Sequence, residues 1–138
     1  MAEHLEANGV RMWFDDRSAG DPVVLLHGGL TDSRDFTGNL DALAGQFRLL
    51  LPERRGHGHT PDVPGPVTVE AMGQDTIAFL NAVTGGPVRL ADYSAGATVA
   101  LRVVSEADLR RMHGIGPKAI RQLREALAAA GLSLAAKS

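Results

Sequence analysis

The stretch whose reading decides the fold is Leu90–Val104, "LADYSAGATVALRVV". Its left part, with Pro87–Arg89 before it, has the apolar character of a short strand. Its right part, "AGATVALRVV", carries small and apolar residues suited to a helix packed close to a sheet. Ser94 stands at the join, with Gly96 two residues further on. A chain that turns sharply from strand to helix presents the side chain at the bend, so Ser94 is a candidate nucleophile.

Working upstream, "PVVLLHGG" (Pro22–Gly29) and "FRLLLPE" (Phe47–Glu53) are continuous apolar runs that stop at glycine or at charge. Such runs suit strands buried on both faces of a parallel sheet. "HLEANGVRMWFDD" (His4–Asp16) reads as two strands around Asn8-Gly9, a dipeptide suited to a two-residue hairpin turn. Between the strands, Asp32 or Ser33 caps a predicted helix through "SRDFTGNLDALAGQ". Thr68 begins a second helix ended by Gly85 and Gly86. "RRGHGHTPDVPGPVT" is rich in glycine and proline and reads as loop. Strands and helices alternating at these lengths predict an α/β sheet with helices on both faces.

The chain has 138 residues, one ordinary domain or one domain with a small appendage. Hydrophobic residues make up 44%, which suits a globular core, and aromatics only 4%, which leaves that core to Leu, Val and Ala. With no cysteine there is no disulfide and no thiolate metal site. No apolar run approaches the roughly 20 residues that span a bilayer, and "MAEHLEANGV" lacks the features of a signal peptide. A cytoplasmic protein with no membrane contact is the expectation. Charge divides unevenly: up to Val104 there are 8 basic and 13 acidic residues, a net of −5. From Ser105 onward 6 basic and 3 acidic residues give +3. The tail, rather than the body, is suited to an anionic partner.

Taken in order and at their separations, "VVLLHGG", "RRGHGHT" and "LADYSAG" resemble the first half of an alpha/beta-hydrolase domain, over about residues 3–104. The resemblance implies a truncated, mostly parallel five-stranded sheet, in order 1-2-4-3-5, with its first hairpin antiparallel. It makes Ser94 the nucleophile of a serine hydrolase acting on small esters or related substrates. It assigns the Gly29 and Ala95 N–H groups to the oxyanion hole, where fixed dipoles meet developing negative charge. No cofactor is implied. His27 is expected to stabilise its turn, and Arg54 and Arg55 to tie theirs down. His57 and His59 form an H-x-H pair on a loop with no suitably spaced third ligand, so no metal is expected.

Two positions depart from the family pattern: Asp92 replaces the first glycine of G-x-S-x-G, and Glu53 stands where an Asp is usual. The acid and general base should follow the serine. Only 44 residues do so, with His113 the one histidine among them. A hydroxyl without a base is a poor nucleophile at neutral pH, so impaired catalysis is the expectation.

Those residues resemble something else. "DLRRMHGIGPKAIRQLREAL" is similar to a helix-hairpin-helix motif, over about 105–131, with Pro117 at the start of its second helix and Gly131 able to close it. The likeness implies that Gly114 and Gly116 let the backbone approach a DNA phosphate, with Lys118, Arg111 and Arg121 supplying charge. The same turn also serves protein contacts or simple packing. The organisation read from the sequence is therefore a partial hydrolase-like domain over 1–104 joined to a hairpin segment over 105–138. The helix after Ser94 could run unbroken into the one starting at Ser105. The strand at Leu90 would form an exposed sheet edge open to self-association or a partner.

Overall fold

The computed structural model describes residues 1–38, 40–104 and 116–135. Five strands form one sheet: β1 (Ala2–Ala7), β2 (Val10–Arg17), β3 (Pro22–Leu26), β4 (Arg48–Pro52) and β5 (Arg89–Asp92), in the order β1-β2-β4-β3-β5. β2 pairs antiparallel with both β1 and β4, whereas β3 pairs parallel with β4 and β5. The sheet is mixed: β2 opposes the other four strands. Asn8 (φ 53°) and Gly9 (φ 76°) turn the first hairpin, the positive dihedrals that a two-residue turn requires.

The continuous apolar runs are explained by burial on both faces. Val24, Leu26 and Leu50 join Met12, Phe14, Phe79 and Val99 on one side, under α2 (Val69–Val83) and α3 (Ala95–Val103). Leu25, Leu49 and Leu51 alternate to the other side and meet Leu40, with Phe36 and Phe47 packed around them. Thr68 caps α2, its hydroxyl accepting from the Ala71 N–H at 3.1 Å.

Two expectations are corrected. The helix through residues 33–46 is a 3₁₀ turn at Ser33–Phe36 and a separate short helix, α1 (Asp41–Ala44). Asp32 caps the turn as expected, accepting from the Arg34 N–H, but Gly38 follows almost at once and interrupts the periodicity. α3 ends at Val103, because Val104 at φ −75° and ψ 139° is already extended, so the unbroken helix expected across this point does not form.

Beyond it, α4 (Pro117–Ala129) begins with proline in its first turn. It closes as Gly131 (φ 72°) and Leu132 donate to the Ala128 and Leu127 carbonyls at 3.0 and 2.8 Å. Ile120 and Leu127 are its buried residues. The Ala135 N–H donates to the Val104 carbonyl at 3.2 Å, tying the segment after α4 back to the end of α3. The first half of the predicted hairpin, including Arg111, His113 and Gly114, lies outside the described residues.

Candidate active site

β3 and β5 run side by side and end together, with Leu26 opposite Asp92. Both chains then turn at the same end of the sheet, and the site is built from those two turns. After β5, Ser94 adopts φ 52° and ψ −116°, a conformation that L residues rarely occupy. What holds it is the closeness of α3 to β3. A Cβ on Gly96 would stand 2.3 Å from the Leu26 carbonyl oxygen and 2.9 Å from that of His27. Only glycine lets the helix start there. The Tyr93 N–H donates to the Leu26 carbonyl at 3.1 Å, and the Gly96 N–H returns to the Tyr93 carbonyl at 2.9 Å, closing the bend. Ser94 is left exposed.

The turn after β3 packs against this bend. A Cβ on Gly29 would lie 3.3 Å from the Ala95 Cβ, and one on Gly28 would lie 2.9 Å from the Tyr93 ring. Gly29, Ser94 and Ala95 are therefore neighbours. Among the described residues, no acceptor is assigned to the Gly29 or Ala95 N–H, and none hydrogen-bonds the Ser94 hydroxyl. Leu30 continues the turn at φ 59° with its side chain fully exposed.

Beneath the turn lies a buried polar cluster. The His27 ring is wholly buried, with Nδ1 2.8 Å from the Gly28 carbonyl oxygen and Nε2 accepting from the Arg54 N–H at 3.2 Å. An Nε2 acceptor places the proton on Nδ1, which then donates to Gly28. Burial, reinforced by the Arg54 charge, pushes the His27 pKa down to about 4. This imidazole is neutral at ordinary pH and fully occupied in the turn. Glu53 is also wholly buried. It accepts from the Ser33 hydroxyl at 2.8 Å, from the Ser33 N–H at 3.3 Å and from the His59 N–H. A Cβ on Gly58 would overlap the Glu53 carboxylate, so the longer acid and the glycine fit one another. Arg55 grips Asp75 of α2 through two bonds of 2.7 and 2.8 Å, and Asn8 completes that carboxylate at 2.8 Å.

Asp92, the departure from the family elbow, sits at the exposed end of β5 and needs no room in the core. It lines a groove of about 1190 Å³ with Leu80, Val88, Leu90, Leu101 and Val104. The lining of that groove includes none of Gly29, Ser94 and Ala95. The groove opens along the side of β5 that pairs with no strand among the described residues, so it belongs to the sheet edge rather than to the serine. His57 and His59 are brought near other rings, at 5.2 Å from His27 and 4.7 Å from Trp13 respectively. Among the described residues no cluster of three or more His, Cys, Asp or Glu could hold a metal ion. At the far end, Gly116 starts α4 without a side-chain cap, and Lys118 and Arg121 are exposed.

Sequence reasoning found both turns but not the part played by the guanidinium of Arg54. It lies 3% exposed under the Gly28 carbonyl. Two adjacent arginines read as one basic pair in the sequence, and nothing local says that both are buried, one of them without a carboxylate partner.

A serine thus stands at a strained strand-to-helix bend, beside a glycine turn at the same end of a mixed sheet. The chain belongs to the Alpha/beta hydrolase family, whose sequence model matches residues 23–136. It is 32% identical over 116 residues to the 2-heptyl-3-hydroxy-4-quinolone dioxygenase AqdC2 of Rhodococcus erythropolis, covering 81% of this chain and 43% of that protein. It is 40% identical over 55 residues to an uncharacterized hydrolase of Saccharomyces cerevisiae, covering 38% and 19%. Among solved structures, an epoxide hydrolase from Vigna radiata superposes with a TM-score of 0.71 at 24% identity, covering 75% of this chain and 34% of that one. The epoxide hydrolase CorEH gives 0.70 at 26%, covering 73% and 36%. The chain thus spans less than half the length of these relatives.

Proposed function

We propose that this is a serine-hydrolase-type protein in which Ser94 is the reacting hydroxyl and the Gly29 and Ala95 N–H groups receive the oxyanion. The carrying observation is the strained backbone of Ser94 (φ 52°, ψ −116°) beside two N–H groups with no assigned acceptor. Attack by Ser94 Oγ on an ester carbonyl forms the O–C bond and moves the carbonyl electrons onto oxygen, where the two N–H dipoles stabilise them. The hydroxyl proton must pass to water at the same time, and collapse of the tetrahedral adduct then breaks the ester C–O bond and releases the alcohol. No imidazole or carboxylate among the described residues hydrogen-bonds Ser94, and the buried His27 ring is committed to the turn. The described part therefore supports slow chemistry with activated substrates. Substrates are small and ester-like; the ionised hydroxyl of a quinolone, of the kind named in the Rhodococcus relative, offers the same anionic oxygen to the same pair.

The test is labelling by an alkyl fluorophosphonate, with the site read by peptide mass spectrometry. Labelling at Ser94 that vanishes in Ser94→Ala supports the reading. An unlabelled wild-type protein at high probe concentration removes it.

A second reading concerns α4. Its open N-terminus at Gly116, with exposed Lys118 and Arg121, suits a DNA phosphate. DNA binding that weakens steeply with salt and is lost in Lys118→Glu would support it. Salt-independent or absent binding would end it.

A further inference from the structure

The Arg54 guanidinium breaks a rule that buried charges normally obey. It is 97% buried, and among the described residues its Nε and Nη1 have no hydrogen-bond partner and no carboxylate pairs with it. Burying an uncompensated cation costs stability, and such groups persist where they serve a site. Its one anchored nitrogen, Nη2, donates to the Gly28 carbonyl oxygen and lies 3.1 Å from His27 Nδ1. The same oxygen also takes His27 Nδ1–H at 2.8 Å and the Thr31 hydroxyl at 3.1 Å. Three donors, one of them cationic, converge on one carbonyl.

That carbonyl belongs to the peptide unit whose N–H is that of Gly29. The peptide is planar and trans, so when its C=O points down into the buried cluster its N–H points up and away. Drawing electrons toward the carbonyl oxygen makes the N–H at the other end a stronger donor, since hydrogen bonds in series polarise one another. We propose that Arg54 is a positioning residue for the oxyanion turn: it fixes and polarises the Gly28–Gly29 peptide so that the Gly29 N–H meets negative charge forming beside Ser94. The guanidinium itself touches no reacting atom. No carboxylate among the described residues pairs with its charge. This assignment rests on the reading of Gly29 as an oxyanion donor.

The full chain is compared with Arg54→Met, which keeps the bulk and removes the charge, and with Arg54→Lys, which keeps a cation. Three quantities are read: the melting temperature, the amide nitrogen shift of Gly29, and the second-order rate of Ser94 labelling by a fluorophosphonate. In Arg54→Met we expect a melting temperature equal to or above that of the wild type. The Gly29 nitrogen should move upfield, and labelling should slow by roughly tenfold, less than loss of a direct oxyanion donor. Arg54→Lys should recover part of both the shift and the rate. A purely structural arginine predicts the opposite pattern. A lower melting temperature or an unfolded Arg54→Met, or a Gly29 resonance indifferent to all three side chains, overturns the proposal. Should wild-type Ser94 not label at all, the hydrolase reading fails by itself. The Gly29 shift and the melting temperatures then still decide what Arg54 does.

Discussion

At the scale of single residues, the site is built from positions where one atom more would not fit. Gly96 is the sharpest. An added methyl would press on the Leu26 carbonyl at 2.3 Å, and backbone on both sides cannot step aside. Gly96→Ala should cost roughly 3 kcal/mol in denaturant unfolding, at the upper end of overpacking penalties, and should take Ser94 out of its bend. Gly85→Ala, with nothing within 4 Å and an ordinary φ, serves as the control and should change little. Equal stabilities for the two variants would mean that the bend is not held by close approach. His27 carries a different consequence. Its folded pKa lies near 4, below its ordinary 6.5, because burial opposes the charged ring. Between those values the unfolded chain binds a proton that the folded one refuses, so stability falls as the pH drops through the window and is complete above about 6.5. The loss should be on the order of 3 kcal/mol by pH 4. Urea unfolding at pH 7 and pH 4.5 measures it, and His27→Asn should flatten the difference. A wild-type midpoint that ignores pH in this range would contradict the buried neutral ring.

At the scale of elements, what could be read in advance was what is local. Asn8-Gly9 announced its hairpin because the turn demands positive φ at both positions. The runs Val23–Leu26 and Leu49–Leu51 announced two-sided burial, and they divide between two cores as alternation requires. Thr68 announced the start of α2. Thr68→Ala should cost about 1 kcal/mol of stability, readable as a shift in urea midpoint at constant slope. An unchanged midpoint would show that the cap is idle. The elements misread were those where local and tertiary forces disagree. The apolar residues of the segment 33–46 keep a helical spacing, yet Phe36 and Leu40 reach the same core from two short pieces around Gly38. For the site the same division holds. Ser94, Gly96 and Gly28-Gly29 are legible because a bend needs them at fixed offsets. Arg54 is not, because its burial depends on β3 and β4 lying side by side in space. Glu53 in place of the usual Asp becomes intelligible only beside Gly58, whose missing side chain makes the room.

At the scale of the whole molecule, the unresolved tension is the free edge of the sheet. β5 ends the strand order, and Arg89, Ala91 and Asp92 are exposed along it. Its outer side opens onto the apolar groove between α2 and α3. A sheet edge that pairs with no further strand among the described residues, beside apolar surface, is a template for another strand, and the strand available in a pure solution is β5 of a second copy. The expectation is concentration-dependent association above the 14.5 kDa of one chain, measured by sedimentation velocity over a dilution series. Ala91→Lys places a charge on the exposed edge without disturbing either core, because Ala91 belongs to neither. It should return the sedimenting species toward one chain while leaving the melting temperature in place. If the wild type sediments as a single chain at every concentration, the edge is already satisfied within the molecule. If Ala91→Lys associates as strongly as the wild type, the contact lies elsewhere, and the exposed Leu30 of the turn after β3 becomes the next surface to substitute.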